Sequence, residues 1–243
     1  MNATRREWLV GLSFGAGAIL IGCGKNGPTE ANKAKKERAE DEPEVTATED
    51  LMREHGVLRR ALLVYQETAM RLRGGATVPP EPLQKTAKLF RAFGEEYHEK
   101  KLEEVYIFPA VKKAGGEAGG YADVLIAQHQ RGREITDFIV AATAGPRIAA
   151  ADVKTFAGSM EALVRMYEHH AALEDTVVFP AWKETLSAKD LDEMNEKFED
   201  IEREQFGEDG FESALKQMTE IEQSLGLSDL AQFTAPAPIA KSR

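Results

Sequence analysis

One cysteine, Cys23, stands in 243 residues, which excludes an intramolecular disulfide and any zinc cluster built on thiolates. Basic residues are outnumbered by acidic ones, 31 to 41, for a net charge of −10. Nucleic-acid capture needs clustered Lys and Arg, so no nucleic-acid partner is expected, and docking of a soluble domain on anionic lipid by charge is disfavoured too. No Walker-A loop and no dinucleotide-binding glycine pattern occurs, and no G-x-S-x-G frames a nucleophilic serine. Histidine is scarce as well, five in all. What is present is a 42% hydrophobic fraction beside 30% charge, the balance of a globular chain with a charged surface. The length admits one large or two small domains at roughly 100–200 residues each.

The first residues read as an address rather than as fold. Arg5-Arg6 precede an apolar stretch from Trp8 to Gly22 that is too short and too rich in glycine for a transmembrane helix, which needs about 20 apolar residues. Thr4-Arg5-Arg6-Glu7-Trp8-Leu9 resembles a twin-arginine export signal, and Leu20-Ile21-Gly22-Cys23 resembles the lipobox of bacterial lipoproteins. Those resemblances imply that residues 1–23 are an export signal and that Cys23 is lipidated. The protein would then be periplasmic and held to a membrane by a lipid anchor. The plainer alternatives are an uncleaved N-terminal anchor and a chance cysteine. Residues 24–48, mixed in charge with little to bury, read as a flexible linker, and residues 227–243 as a disordered tail.

Between them the apolar residues recur at helical spacing and no segment alternates as a strand does. A first helix carries Leu51, His55, Leu58, Leu62, Tyr65, Ala69 and Leu72 on one stripe; Gly74-Gly75 ends it. A second carries Leu83, Ala87, Phe90, Gly94, His98, Leu102 and Val105. A third carries Ala122, Leu125, His129, Gly132, Thr136 and Ile139, and a fourth Phe156, Met160, Leu163, Tyr167, His170, Glu174 and Val177. The predicted fold is all-α: an antiparallel up-down four-helix bundle over 49–185, followed by a two-helix annex over 186–226 that packs on the bundle or on a second copy. Ser187-x-x-Asp190 opens the annex as a capping box.

Each of the four stripes contains a histidine. A single histidine on an apolar face is ordinarily a hydrogen-bonded core residue. Four of them at similar heights in one core would desolvate and repel one another, and a metal taking neutral imidazole removes both problems. Carboxylates complete the pattern. Glu103-Glu104-Val-Tyr-Ile-Phe108-Pro109 in helix two repeats as Glu174-Asp175-Thr-Val-Val-Phe179-Pro180 in helix four. The repeat does not say which acid of each pair faces inward. The His170-x-x-x-Glu174 spacing favours the first, leaving Glu104 and Asp175 as surface charge. The expected metal ligands are therefore His55, His98, Glu103, His129, His170 and Glu174, with His169 as a further candidate, either ligand or neighbour. In an ideal α-helix His98 and Glu103, five apart, are rotated by about 140°. A single-turn π-bulge between them would bring both to one face, as would a long swing of the Glu103 side chain across a straight helix. Imidazole with carboxylate and no thiolate suits iron, manganese or zinc.

Arg53-Glu54-His55, His98 with Glu103-Glu104 and Phe108-Pro109, His129-x-x-Gly132-Arg133, and His170-x-x-x-Glu174-Asp175 with Phe179-Pro180 together resemble the hemerythrin-like, HHE cation-binding domain over about 49–185. The resemblance implies a non-haem di-iron centre, two bridging carboxylates and O₂ at an open position, with manganese or zinc as less favoured metals. Two departures stand out: the five-residue step in helix two, and Arg133 where oxygen-carrying members have a second histidine in helix three. The leading expectation is a protein that binds, senses or scavenges O₂ or another small diatomic or peroxide, or handles iron. A di-iron oxidase, peroxidase or nitric-oxide-reactive centre is the alternative, with Tyr97 and Tyr167 as candidate hydrogen-bond donors near the ligands. A metal-stapled structural module is a third.

Overall fold

The computed structural model describes residues 45–207 and 209–238. The export signal with Cys23 and most of the linker expected from the sequence lie outside the described residues. Among the described residues every regular element is helical. Helix α1 (Ala47–Arg73) forms a first rod. The second rod is continuous but composite: α2 (Pro80–Leu89), a π-helical segment (Phe90–Ile107) and α3 (Phe108–Ala114). Helix α4 (Gly116–Ala142) is the third. The fourth is again composite, with α5 (Val153–Leu173), a short π segment (Glu174–Val178) and α6 (Phe179–Glu184). Helices α7 (Ala188–Phe206) and α8 (Gly210–Leu225) follow. No helix of the described residues is long and apolar enough to cross a membrane.

The stripes read from the sequence are the buried faces. All seven stripe residues of α1 are buried, and so are all six of α4. Rod one packs chiefly against α5 and also meets the first π segment; α3 and the first π segment lie along α4, and α4 along α5. Pro80 opens α2 at a first-turn position, where its missing N–H is not needed. The Ser187/Asp190 capping box is formed, and Gly207 closes α7 with φ +71°.

The π segments alter the faces of rods two and four. The Phe108 N–H bonds the carbonyl of Glu103, and the Phe179 N–H that of Glu174, both five residues back. Each wide turn is followed at once by a proline, Pro109 and Pro180, in the first turn of the next α segment, where it takes no donor away from the ladder. The wider turn also moves the buried seam. Val105, on the expected stripe, is 54% exposed, while Glu103 and Ile107 are buried. In rod four the fully buried residue is Val178 rather than Val177. The bulge expected in rod two is thus a much longer π segment, and rod four has one of its own.

The annex lies over the first hairpin: α8 packs on α1 and α2, and α7 on α1 and the first π segment. Trp182 stacks flat on Phe198, with centroids 5.7 Å apart at 7°, an offset aromatic contact of about 0.5–1.5 kcal/mol beyond its area. Phe206 meets Tyr97 edge-on, and Arg60 is held by Glu222 and Thr219. The stretch from Leu227 departs from the loose tail expected. Leu227 is buried, and Asp229 caps a 3-10 turn, Leu230–Phe233, because its carboxylate accepts the Ala231 N–H.

Candidate metal centre

The four stripe histidines meet in one buried cluster. His55 of α1 and His98 of rod two bring their Nε2 atoms to 3.0 Å, and His129 of α4 and His170 of α5 do the same. All four are at most 3% exposed. Glu103 lies across both pairs, with Oε1 3.2 Å from His98 Nε2 and Oε2 3.4 Å from His129 Nε2. Glu174 does so from the other side, with Oε2 3.5 Å from His55 Nε2 and Oε1 3.0 Å from His170 Nε2. Both acids are fully buried, and none of their four oxygens accepts a hydrogen bond.

The outer faces of the rings are held just as regularly. His55 Nδ1 lies 2.7 Å from Asp175, His98 Nδ1 2.6 Å from Glu54, His129 Nδ1 2.9 Å from Glu104, and His170 Nδ1 2.8 Å from the Gln128 amide oxygen. A ring that donates from Nδ1 turns a bare Nε2 inward, the tautomer a metal needs. Arg59 pairs with Asp175, and Arg133 with Glu104 at 2.5 Å and Glu99 at 3.2 Å. Phe179 stacks on His55 at 5.4 Å, and Phe108 lies tilted against His129 at 5.5 Å. The Phe-Pro repeat thus supplies one ring to each side.

Bare nitrogen lone pairs 3.0 Å apart, facing carboxylate oxygens without donors, are unfavourable unless positive charge sits among them. Neighbouring ligands of one ion with bonds of about 2.1 Å lie roughly 3.0–3.4 Å apart. Both nitrogen–nitrogen distances and three of the four nitrogen–oxygen distances fall in that range, and the fourth, His55 to Glu174 at 3.5 Å, lies just beyond it. The donor set therefore fits a metal. Without one, protons take its place. Against the cost of burial, the charges of Glu103 and Glu54 hold His98 well above the usual imidazole range, and Glu99, Glu103 and Glu104 hold His129 up at about 10. Burial and the charge on His129 push His170 down to about 3. The imidazoles of His98 and His129 overcome burial to hold Glu103 well below the carboxylate range, while burial and Glu103 push Glu174 well above it. A cation entering this cluster displaces protons, so acid opposes its binding.

The six residues expected as ligands, His55, His98, Glu103, His129, His170 and Glu174, are brought together. His169 is not: it is exposed on the outer face of α5, because one residue turns about 100° round an α-helix. Glu104 and Asp175 are more than surface charge; each sits half-buried on the Nδ1 of a histidine from the other hairpin. Sequence reasoning also missed Gln128 and the roles of Glu54 and Glu99. Their one signal is position, since Glu54 and Gln128 each precede a stripe histidine. Tyr97 donates to Glu54 at 3.0 Å and Tyr167 to Glu99 at 2.6 Å. Arg133, at the position of the absent second histidine, ties Glu99 to Glu104.

Four imidazoles and two shared carboxylates buried in an all-helical domain define a cation-binding helical protein. The sequence profile of the hemerythrin HHE cation-binding domain matches residues 46–182, and the chain belongs to that family. Uncharacterised proteins of Mycobacterium bovis and Mycobacterium tuberculosis are 44% identical to it over 232 residues, 95% of this chain and 90% of theirs. No solved structure matches the chain.

Proposed function

We propose that the four rods form an antiparallel up-down bundle around a di-iron centre that binds, senses or scavenges O₂ or a related small oxidant. The carrying observation is that Glu103 and Glu174 each span both histidine pairs with all four oxygens lacking a hydrogen bond. This supports two cations: one held by His55 and His98, one by His129 and His170, with both carboxylates shared. Two ferrous ions there would supply an open coordination position and reducing equivalents for a small oxidant. The chain's residues orient the ligands through Nδ1 and offset cationic charge with two buried acids, and the buried Leu58, Leu62, Leu102 and Leu125 with the half-buried Leu173 would help keep the pocket dry. Export and a lipid anchor at Cys23 would place the domain on the periplasmic side of a membrane.

The test is anaerobic loading with Fe(II), metal analysis, and mixing of the reduced protein with O₂ in a stopped-flow spectrometer. Two irons per chain and a reversible absorption band are expected. Sustained turnover with peroxide release would favour an oxidase instead, a reading supported by Tyr97 and Tyr167 donating to acids at the cluster. Two ions without reaction would leave a structural staple, and a single tightly held ion would sink the di-iron reading.

A further inference from the structure

The cluster has a two-fold pattern, and it is broken in one place. Rods one and three each place a residue just before their histidine that reaches the Nδ1 of the next rod: Glu54 on His98, and Gln128 on His170. Three of the four rings therefore donate to a carboxylate and one to a neutral amide. We propose that the two cation positions are unequal, that the one between His129 and His170 is the weaker and more exchangeable, and that Gln128 makes it so. This rests on the reading that the cluster holds two cations.

Two physical arguments carry it. A carboxylate acceptor strengthens the Nδ1–H bond and makes Nε2 a better donor to the metal, and outer partners of this kind change metal affinity by about 10–100-fold. An ionised carboxylate also only accepts, so it fixes its ring with Nε2 bare. An amide can turn over and offer its NH₂; His170 then carries its proton on Nε2 and cannot ligate. Glu99 brings a buried negative charge to the same side, with Oε2 3.9 Å from His129 Nδ1, but Arg133 bonds that oxygen and the Tyr167 hydroxyl the other, and Gln128 remains the partner of His170 Nδ1.

Cover differs in the same sense. Glu54 is 1% exposed, beneath Tyr97, which is itself beneath Phe206 of the annex, and Arg53 beside it lies 4.5 Å over the Phe211 ring. Gln128 is half-buried, and His169, the residue at the place of Tyr97, is exposed. The annex covers the partner of His98 and leaves the partner of His170 nearer solvent.

Anaerobic calorimetric titration of the metal-free full chain with Fe(II) tests this. The wild type should bind two ions in steps at least tenfold apart. Gln128→Glu should strengthen the weaker step and bring the two within a few-fold, and Glu54→Gln should weaken the tighter one. His170→Ala should abolish the weaker step and keep the tighter. Far-UV circular dichroism of each variant checks that the fold is kept, and the two opposite-going substitutions do not share a folding defect. Two ions of equal affinity in the wild type overturn the inequality, and a folded Gln128→Glu protein with an unchanged gap overturns the part given to Gln128; both leave the two-cation reading intact. One ion per chain overturns both.

Discussion

The Tyr167 phenol crosses α4 where the helix has no side chain. A Cβ on Gly132 would lie 2.0 Å from the phenol oxygen and 2.8 Å from the ring carbon that bears it. The ring cannot yield at small cost, because its hydroxyl donates to Glu99 at 2.6 Å and its edge packs on Phe90 at 5.1 Å. In Gly132→Ala the ring must move and the bond must go. Overpacking costs about 1–3 kcal/mol and a lost hydrogen bond to a charged group about 1.5–3 kcal/mol. The sum is roughly 2.5–6 kcal/mol, or a fall of roughly 5–24 °C in Tm at this chain length. Tyr167→Phe removes the nearest atom, so the double variant should lose less than the sum of the singles, by on the order of 1–2 kcal/mol. Urea unfolding of the metal-free protein measures all three. A Gly132→Ala protein within about 0.5 kcal/mol of wild type, or strict additivity in the cycle, would refute the close crossing.

Three further outcomes are expected. Burial pushes the Glu95 carboxyl up to about 7, although the Thr136 hydroxyl opposes this. The native state then holds that proton more tightly than the unfolded chain, so its contribution is full below about pH 4.5 and is lost as pH rises to about 7, roughly 3 kcal/mol in all. Glu95→Gln should lack that slope; stability curves that run parallel to wild type over this interval would show that Glu95 does not titrate there. Deleting Lys100, an exposed residue between His98 and Glu103, should let the turn close as α-helix with both ligands on one face. Metal analysis should still find wild-type content, and loss of metal would mean the π ladder itself is required. His170→Ala should lose the more weakly held metal while His169→Ala keeps wild-type content, by the same analysis; the reverse order would overturn the assignment.

The stripes were legible because a buried helix face has a period, and a histidine on the stripe keeps it. Four rods and their four histidines follow from that alone, while the two shared acids needed the Phe-Pro repeat and the annex its capping box. The π segment in rod two also left a trace, since five residues separate His98 from Glu103. Rod four left none: its π turn begins at Glu174, after the ligand pair, so His170 and Glu174 keep ordinary α spacing. Glu104 and Asp175 were misread for a related reason. They stand one residue past the shared acids, on what a straight helix would turn toward solvent, and only the adjoining rod shows that a ring nitrogen waits there. Gln128 is neutral, and apart from standing just before a stripe histidine nothing distinguishes it from a surface amide.

The acids that cross between hairpins carry a consequence for ancestry. Each hairpin owns two histidines, but it borrows one shared carboxylate and the acid that aligns its first histidine from the other. Glu103-Glu104 serves His129 just as Glu174-Asp175 serves His55. Such reciprocity is what a single hairpin meeting its own copy would produce, because every borrowed group has an identical lender. A gene encoding half of this domain could therefore have assembled the entire centre by self-association, and fusion of two copies would then have freed the halves to diverge.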